Sequence, residues 1–110
     1  MSERKKYRLT DETITIAGVT LYRIQATSDF GNVLKGDWGG FIQSENNLSQ
    51  ENSCWVYGNA RVYGDARVYG DARVCGNAWV CGDAWVYGDA WVYGNARVCG
   101  NAWVYGDAKV

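Results

Sequence analysis

The residues best suited to binding or catalysis lie in the second half of the chain, where Trp, Tyr, Arg and Asp recur at six-residue intervals. Tyr, Trp and Arg are the types enriched at the energetic centre of protein interfaces, and carboxylates are ligands that hard cations prefer. The chain has no histidine, which excludes every catalytic scheme that needs an imidazole base within one chain. We therefore predict a binding surface, with no catalytic residue, metal site or cofactor.

These side chains belong to a six-residue repeat that runs without interruption from Val56 to Val110. The pattern Val–Tyr/Cys–Gly–Asn/Asp–Ala–Arg/Trp/Lys occurs nine times. The four residues that run from Ala to the next Tyr or Cys alternate between a small or apolar side chain and a large one. This alternation is typical of a strand with one buried face. Gly followed by Asn or Asp predicts a turn, because these residues tolerate positive φ. A turn of the same kind every six residues builds a coil rather than a stack of hairpins.

This pattern resembles the hexapeptide-repeat family, whose signature is an aliphatic residue, turn-forming positions and a small residue two places before the next aliphatic. Val, Gly-Asn/Asp and Ala fill these positions here. The resemblance implies a left-handed β-helix of triangular cross-section with three hexapeptides in each coil. We therefore predict an all-β fold, in which a left-handed parallel β-helix of three coils spans residues 54–110. A small N-terminal β cap is predicted over residues 1–53.

With eighteen residues per coil, residue i stacks on residue i+18, about 4.8 Å away. On two faces the outward columns alternate cation and indole: Trp55, Arg73, Trp91 and Lys109 on the first, and Arg61, Trp79 and Arg97 on the second. The alternation separates like charges and predicts cation–π contacts.

The third face is almost entirely aromatic. Its outward residues are Arg67, Tyr69, Trp85, Tyr87, Trp103 and Tyr105. We call this set the aromatic face and predict that it binds a protein partner together with one corner of the coil, the aspartate corner, formed by Asp71, Asp89 and Asp107. The alternatives are that ring ladders only stiffen the stack and that the aspartates cap their turns or bind a cation.

The cysteine positions follow from the repeat. Cys81 and Cys99 are expected to be direct neighbours within reach of a disulfide, but free thiols are expected in a reducing cytoplasm. Cys75 stands alone on its face, and Cys54 occupies an inward position. A net charge of -1 makes nucleic-acid binding unlikely. Without a signal peptide or an apolar run of about 20 residues, we predict a cytoplasmic protein with no membrane association.

The N-terminal half does not repeat. Alternation predicts strands at residues 13–16 and 19–26, with Ala17 and Gly18 in a tight turn between them, and a cap for the open end of the coils. Spaced motifs at residues 22–26, 29–30, 39–42, 47–48 and 54–57 are similar to the N-terminal region of bacterial and phage hexapeptide proteins. Some of those are named acyltransferases, without an established activity to carry over.

The chain stops inside a strand, which predicts pairing of its last coil with a second copy. The residues of this predicted homodimer interface are Trp103, Val104, Tyr105, Lys109 and Val110.

For function, we predict a non-catalytic interaction protein. The resemblance to phage proteins implies a phage or mobile-element accessory that binds, and inhibits, a host protein such as a CRISPR-type defence nuclease. The first alternative is a structural, self-assembling solenoid. An acyltransferase-like enzyme or a glycan binder is a weaker alternative, because family enzymes use a histidine base and loops extruded from the coils, and this chain has neither.

Overall fold

The computed structural model describes residues 5–16 and 18–110, and strands account for almost all of its regular structure. Three longer strands come first: β1 (Tyr7–Ile16), β2 (Val19–Ala26) and β3 (Trp38–Ile42), followed by one turn of 3₁₀ helix, Glu45–Asn47. Nine two-residue strands follow: β4 (Trp55–Val56), β5 (Arg61–Val62), β6 (Arg67–Val68), β7 (Arg73–Val74), β8 (Trp79–Val80), β9 (Trp85–Val86), β10 (Trp91–Val92), β11 (Arg97–Val98) and β12 (Trp103–Val104).

The short strands form three parallel stacks. The first face contains β4, β7 and β10, the second contains β5, β8 and β11, and the third contains β6, β9 and β12. Residues eighteen apart are paired throughout, as in Trp103 against Trp85, because each coil contains three equal hexapeptides. The turn glycines from Gly58 to Gly106 all have φ between 59° and 71°, which a residue without a Cβ adopts at little cost. The predicted all-β solenoid of parallel coils is confirmed.

The core is a column of repeated valines and alanines. Val56 to Val92 of the repeat are fully buried, and Val98 and Val104 are 4% and 8% exposed. Each buried valine contributes about 1.5–3 kcal/mol through removal of apolar surface from water. The alanine column is buried as far as Ala90 and partly exposed below it. The inward positions of Val and Ala in the repeat are confirmed.

The parallel ladder extends beyond the exact repeat into the preceding segment. Strand β3 pairs in parallel with β5, with Ile42 opposite Val62, and Leu48 forms a parallel bridge with Val68. These partners are twenty residues apart rather than eighteen, so an irregular coil lies above the three regular ones. The solenoid therefore has about four turns, whereas the division at residues 53 and 54 stays a prediction.

The N-terminal residues continue the second face as an antiparallel extension. β1 pairs with β2, with Ile16 opposite Val19, and β2 pairs with β3. The resulting sheet has six strands in the order β1-β2-β3-β5-β8-β11. The predicted hairpin is confirmed, although its first strand begins at Tyr7; Ala17 of the predicted turn lies outside the described residues.

The first regular coil directs backbone carbonyls upward, and the irregular coil supplies their donors. The amides of Phe41 and Ser49 donate to the carbonyls of Ala60 and Val68, both at 2.9 Å. Unpaired strand edges invite association with other chains, and these bonds occupy that edge. The N-terminal segment thus covers the first coil, as a cap must.

One side chain at this junction, Trp55, differs from its predicted outward environment. Trp55 aligns with Arg73 as predicted, but it is 1% exposed because the rings of Phe30 and Tyr7 pack edge-on against it at 5.2 and 6.0 Å. Lys6 is also buried. Its ammonium group donates to three backbone carbonyls, including that of Cys54 at 2.8 Å, which compensates for lost hydration.

The structure joins Cys81 and Cys99 by a disulfide between adjacent coils, with Cα atoms 4.6 Å apart. The predicted proximity is confirmed, whereas the expectation of free thiols is wrong for this pair. Stacking in register places the two side chains at the separation that a disulfide requires. Cys54 and Cys75 are free, and Cys54 is buried as predicted.

The contacts of Tyr7 at this junction can be tested through the pH dependence of the protein's stability. Its hydroxyl donates to the carbonyls of Leu48 and Glu45, and burial raises the pKa of the phenol well above its usual value of about 10. The folded state therefore retains this proton at pH values where the unfolded state loses it, so stability falls as pH rises above about 10. We expect Tyr7→Phe to cost about 1 kcal/mol at neutral pH but to remove this alkaline loss. Urea unfolding at about pH 8 and about pH 11 should show the difference between the two proteins shrinking; a constant difference would contradict the assignment.

Candidate functional site

The aromatic face contains a ladder of parallel phenol rings. Tyr69 and Tyr87 stack at 4.9 Å between ring centroids with planes 6° apart, and Tyr87 and Tyr105 stack at 5.4 Å and 12°. The ladder forms because these three residues occupy the same position in consecutive coils. Stacked pairs of this kind contribute roughly 0.5–1.5 kcal/mol beyond their area burial, so the ladder holds its rings in fixed orientations.

A second ladder runs beside the first and is coupled to it. The indoles of Trp85 and Trp103 stack at 5.5 Å and 8°. Edge-to-face contacts join the ladders, between Tyr69 and Trp85 at 5.9 Å and between Tyr87 and Trp103 at 6.5 Å. Trp103 and Tyr105 are 59% and 56% exposed. The predicted aromatic patch is therefore assembled as one surface, with its most exposed rings in the last coil.

The upper end of the aromatic face borders a cavity of about 350 Å³. Its lining residues are Glu45, Asn46, Ser49, Arg67, Val68, Tyr69 and Trp85. The 3₁₀ turn and the following loop form one wall, and the exposed Arg67 forms part of the other. Burial, with the neighbouring Tyr87 adding to it, raises the pKa of Tyr69, so this phenol is a neutral hydrogen-bond donor at pH 7. No pattern in the sequence placed Glu45, Asn46 or Ser49 beside the rings.

The aspartate corner is formed as predicted, but its members have different surroundings. The Asp71 carboxylate accepts hydrogen bonds from the backbone amide and hydroxyl of Ser53 at 3.3 and 2.8 Å. Asp89 and Asp107 are exposed. Within residues 5–16 and 18–110, no three His, Cys, Asp or Glu side chains are grouped as metal ligands would be. The corner therefore presents acidic groups at the edge of the aromatic face, with one of them held by Ser53.

The other two faces are chemically distinct from the aromatic face because cations cover their indoles. The guanidinium groups of Arg61 and Arg97 lie 5.5 and 4.9 Å from the ring of Trp79. On the first face, Arg73 and Lys109 lie 5.2 and 6.0 Å from Trp91. The predicted cation–indole alternation is confirmed for these residues. Only on the aromatic face, within the described part of the chain, do successive outward rings stack on one another.

The residues of the predicted homodimer interface are gathered at one end of the solenoid. Trp103 and Tyr105 also belong to the aromatic face, Val110 is 44% exposed and Val104 is 8% exposed. Their placement is compatible with the pairing, and the homodimer itself stays a prediction.

The match to a known protein family lies in the repeat region. Four segments, residues 56–70, 66–82, 72–88 and 90–106, match the family described as YdcK Beta solenoid repeat. A relative from Escherichia coli (strain K12), named "Uncharacterized acetyltransferase YdcK", is 39% identical over 61 residues, which cover 48% of this chain and 19% of that protein. This chain thus spans about a fifth of the length of that relative. The resemblance to repeat β-solenoid proteins with a relative named as an acyltransferase is confirmed.

None of the helical segments in the described residues is long and apolar enough to cross a bilayer.

Proposed function

We propose that this β-solenoid, built from repeats of the YdcK type, is a non-catalytic module that binds a protein partner through its aromatic face. The observation that carries the proposal is the coupled pair of ring ladders, in which Tyr69, Tyr87 and Tyr105 stack beside Trp85 and Trp103. Rigid aromatic side chains lose little conformational entropy on association, and Trp and Tyr dominate the energy of protein interfaces.

The border of this surface supplies polar contacts. Arg67 lies at the upper end beside the cavity, and no carboxylate within the described residues forms an ion pair with it. The aspartate corner flanks the same face through Asp71, Asp89 and Asp107. An apolar centre with charged groups at its border is the usual arrangement of a protein interface, so the partner should present an apolar patch flanked by both an acidic and a basic group.

The origin of the partner follows from the resemblance to phage proteins. The chain acts as a phage or mobile-element accessory in the cytoplasm, and its target is a host protein, with a CRISPR-type defence nuclease as the leading example. Inhibition would result if the aromatic face covered a surface that the target needs. A homodimer through the last coil would present two such faces, and light scattering at micromolar concentration tests that state.

Replacing Trp85 and Trp103 together by alanine is expected to abolish capture of the partner from a bacterial lysate while the fold remains intact. Each indole should contribute about 2 kcal/mol or more to binding, as interface hot spots do. Trp79→Ala is the matched control, since it removes an indole from the second face. Quantitative mass spectrometry of proteins retained by the three baits measures the effect. Equal retention by all three would exclude the aromatic face as the binding surface.

A second candidate function, acyl transfer, is supported by the name of the Escherichia coli relative, an uncharacterised acetyltransferase. The chain offers no histidine base, and the turns between its regular strands stay short throughout residues 56–110. Binding of acetyl-CoA, measured by calorimetry, would favour this candidate. Filaments seen by electron microscopy would instead favour a self-assembling solenoid, and binding to a glycan array would favour a lectin-like role for the indoles.

A further inference from the structure

The outward column of the first face lacks a ring at its centre. The equivalent column of the aromatic face reads Tyr, Tyr, Tyr in consecutive coils, whereas the first face has Tyr57, Cys75 and Tyr93. On the second face the lower two positions are joined by the Cys81–Cys99 disulfide. Cys75 is thus the only free cysteine of the described residues that stands between two outward tyrosines.

This substitution leaves a cavity of about 300 Å³. It is lined by Asn32, Tyr57, Arg73, Cys75 and Trp91. Tyr57 and Cys75 are half-buried and Tyr93 is 46% exposed. Among the ring pairs formed by the described residues, neither Tyr57 nor Tyr93 takes part. Tyr57, Cys75 and Trp91 therefore border a gap at the level of Cys75, and Tyr93 lies outside its lining.

The size of the gap suits one layer of aromatic ring. Tyr57 and Tyr93 are two coils apart, or about 9.6 Å at the usual strand spacing. The aromatic face shows the filled state of the same position, where Tyr87 lies 4.9 and 5.4 Å from the rings above and below it. A planar group from outside the chain can take the corresponding place on the first face.

The charge beside the gap favours an anionic substituent. Arg73 is the other outward residue of the same strand, and its guanidinium lies 5.2 Å from the ring of Trp91. Among the described residues, Arg73 forms no ion pair with a carboxylate. A ligand carboxylate would supply the missing opposite charge.

The Cys75 thiol forms the floor of the gap and does not act as a reactive group. Burial raises the pKa of Cys75, although the nearby Arg73 partly opposes this effect. A neutral thiol is a weak nucleophile and behaves as a small apolar surface. Binding in the gap therefore needs no covalent step.

We infer that the gap bordered by Tyr57, Cys75 and Trp91 is a binding site for a planar aromatic carboxylate of one or two rings. The ring packs against the Tyr57 phenol over the Cys75 thiol, and the carboxylate pairs with Arg73. The volume is at the lower limit of small-molecule sites, which matches a ligand of this size. The site lies on a different face from the proposed partner surface. An experiment can therefore disprove one of the two proposals without affecting the other.

The test is a titration of the ¹⁵N-labelled protein with naphthalene-2-carboxylate, followed by amide chemical shifts. A ligand of this size should bind with a dissociation constant of about 0.1–1 mM, and shifts should centre on Tyr57, Cys75 and Trp91. Naphthalene-2-methanol, without the charge, and cyclohexanecarboxylate, without the aromatic ring, should each bind about tenfold more weakly. Equal binding of the three compounds, or shifts centred elsewhere, would overturn the inference.

Two substitutions of Cys75 distinguish the contribution of the gap to binding from the contribution of the thiol. Cys75→Tyr restores the ring of the ladder and should weaken binding at least about tenfold, whereas Cys75→Ala keeps the gap and should change it less than about twofold. Arg73→Gln should remove the preference for the carboxylate over the alcohol. Unchanged binding by Cys75→Tyr, or equal loss in both Cys75 variants, would contradict the site. If Cys75→Tyr does not fold, the pattern of shifts in the wild-type protein decides.

Discussion

Replacement of Asn47 by alanine is expected to lower the free energy of unfolding by about 3 kcal/mol or more. Asn47 is fully buried and uses its whole amide. Its Oδ1 atom accepts from the backbone amides of Gln43 and Ser44 at 3.0 and 2.9 Å, and its Nδ2 atom donates to the carbonyls of Gly64 and Ala66 at 3.2 and 2.8 Å.

The size of the effect follows from the backbone groups that the substitution would leave without a hydrogen-bond partner. Alanine leaves the Ser44 amide and the carbonyls of Gly64 and Ala66 without this partner. The Gln43 amide still donates to the carbonyl of Val62 at 3.2 Å. Each unsatisfied buried group costs about 1–3 kcal/mol, although water entering the space would recover part of it. The loss is concentrated where the irregular coil meets the first regular one, so the N-terminal segment should detach before the solenoid melts.

Thermal and urea unfolding followed by circular dichroism measure this effect. Asn46→Ala is the matched control, because Asn46 is exposed and should change stability by less than about 0.5 kcal/mol. Asn47→Asp keeps the acceptor but replaces the donor with a carboxylate oxygen facing two carbonyls, and should be at least as harmful as alanine. If Asn47→Asp were as stable as the wild type, the assigned orientation of the amide would be wrong.

The second large effect is expected for Gly40→Ala, which should cost about 3 kcal/mol. A Cβ atom at this position would lie 2.5 Å from the carbonyl oxygen of Ala60 and 2.6 Å from Cγ1 of Val56. The Ala60 carbonyl cannot move away freely, because it accepts a hydrogen bond from the amide of Phe41 at 2.9 Å. The clash therefore displaces strand β3 from the coil that it covers.

Gly36→Ala separates this clash from the general effect of adding a Cβ. Gly36 has a φ of 95°, but nothing lies within 4 Å of the added atom, so its cost should come from backbone conformation alone, about 1 kcal/mol. Comparison of the two unfolding midpoints measures the contribution of close packing. Equal destabilisation of both variants would show that β3 does not need a glycine for its approach to the coil.

The periodic part of the molecule was accessible from the sequence because a solenoid coil contacts mainly its immediate neighbours. A fixed repeat then determines which residues stack. The stacking of Trp85 on Trp103 and the position of Arg73 beside Trp91 were both predictable from the interval of eighteen residues. Even the approach of Cys81 to Cys99 followed from it, although spacing alone could not decide whether a bond forms between them.

The non-periodic part could not be predicted in the same way, since its contacts join residues that are distant along the chain. Trp55 occupies an outward position of the repeat, and only the packing of Phe30 and Tyr7 from outside makes it a core residue. Lys6 is charged and close to the N-terminus, yet carbonyls some 45 residues away surround its ammonium group. The cavity beside Arg67 likewise depends on the 3₁₀ turn at Glu45–Asn47.

The sequence by itself therefore determined the six-residue period, the inward and outward positions and the residues of the aromatic face. Local alternation and turn chemistry are sufficient to specify these features. The tertiary structure alone decided the irregular upper coil, the environment of Asn47 and the cavities beside the tyrosine columns. Those depend on how one non-repeating segment docks on a repeating one, and docking is set by shape and hydrogen bonding over long separations that no local pattern encodes.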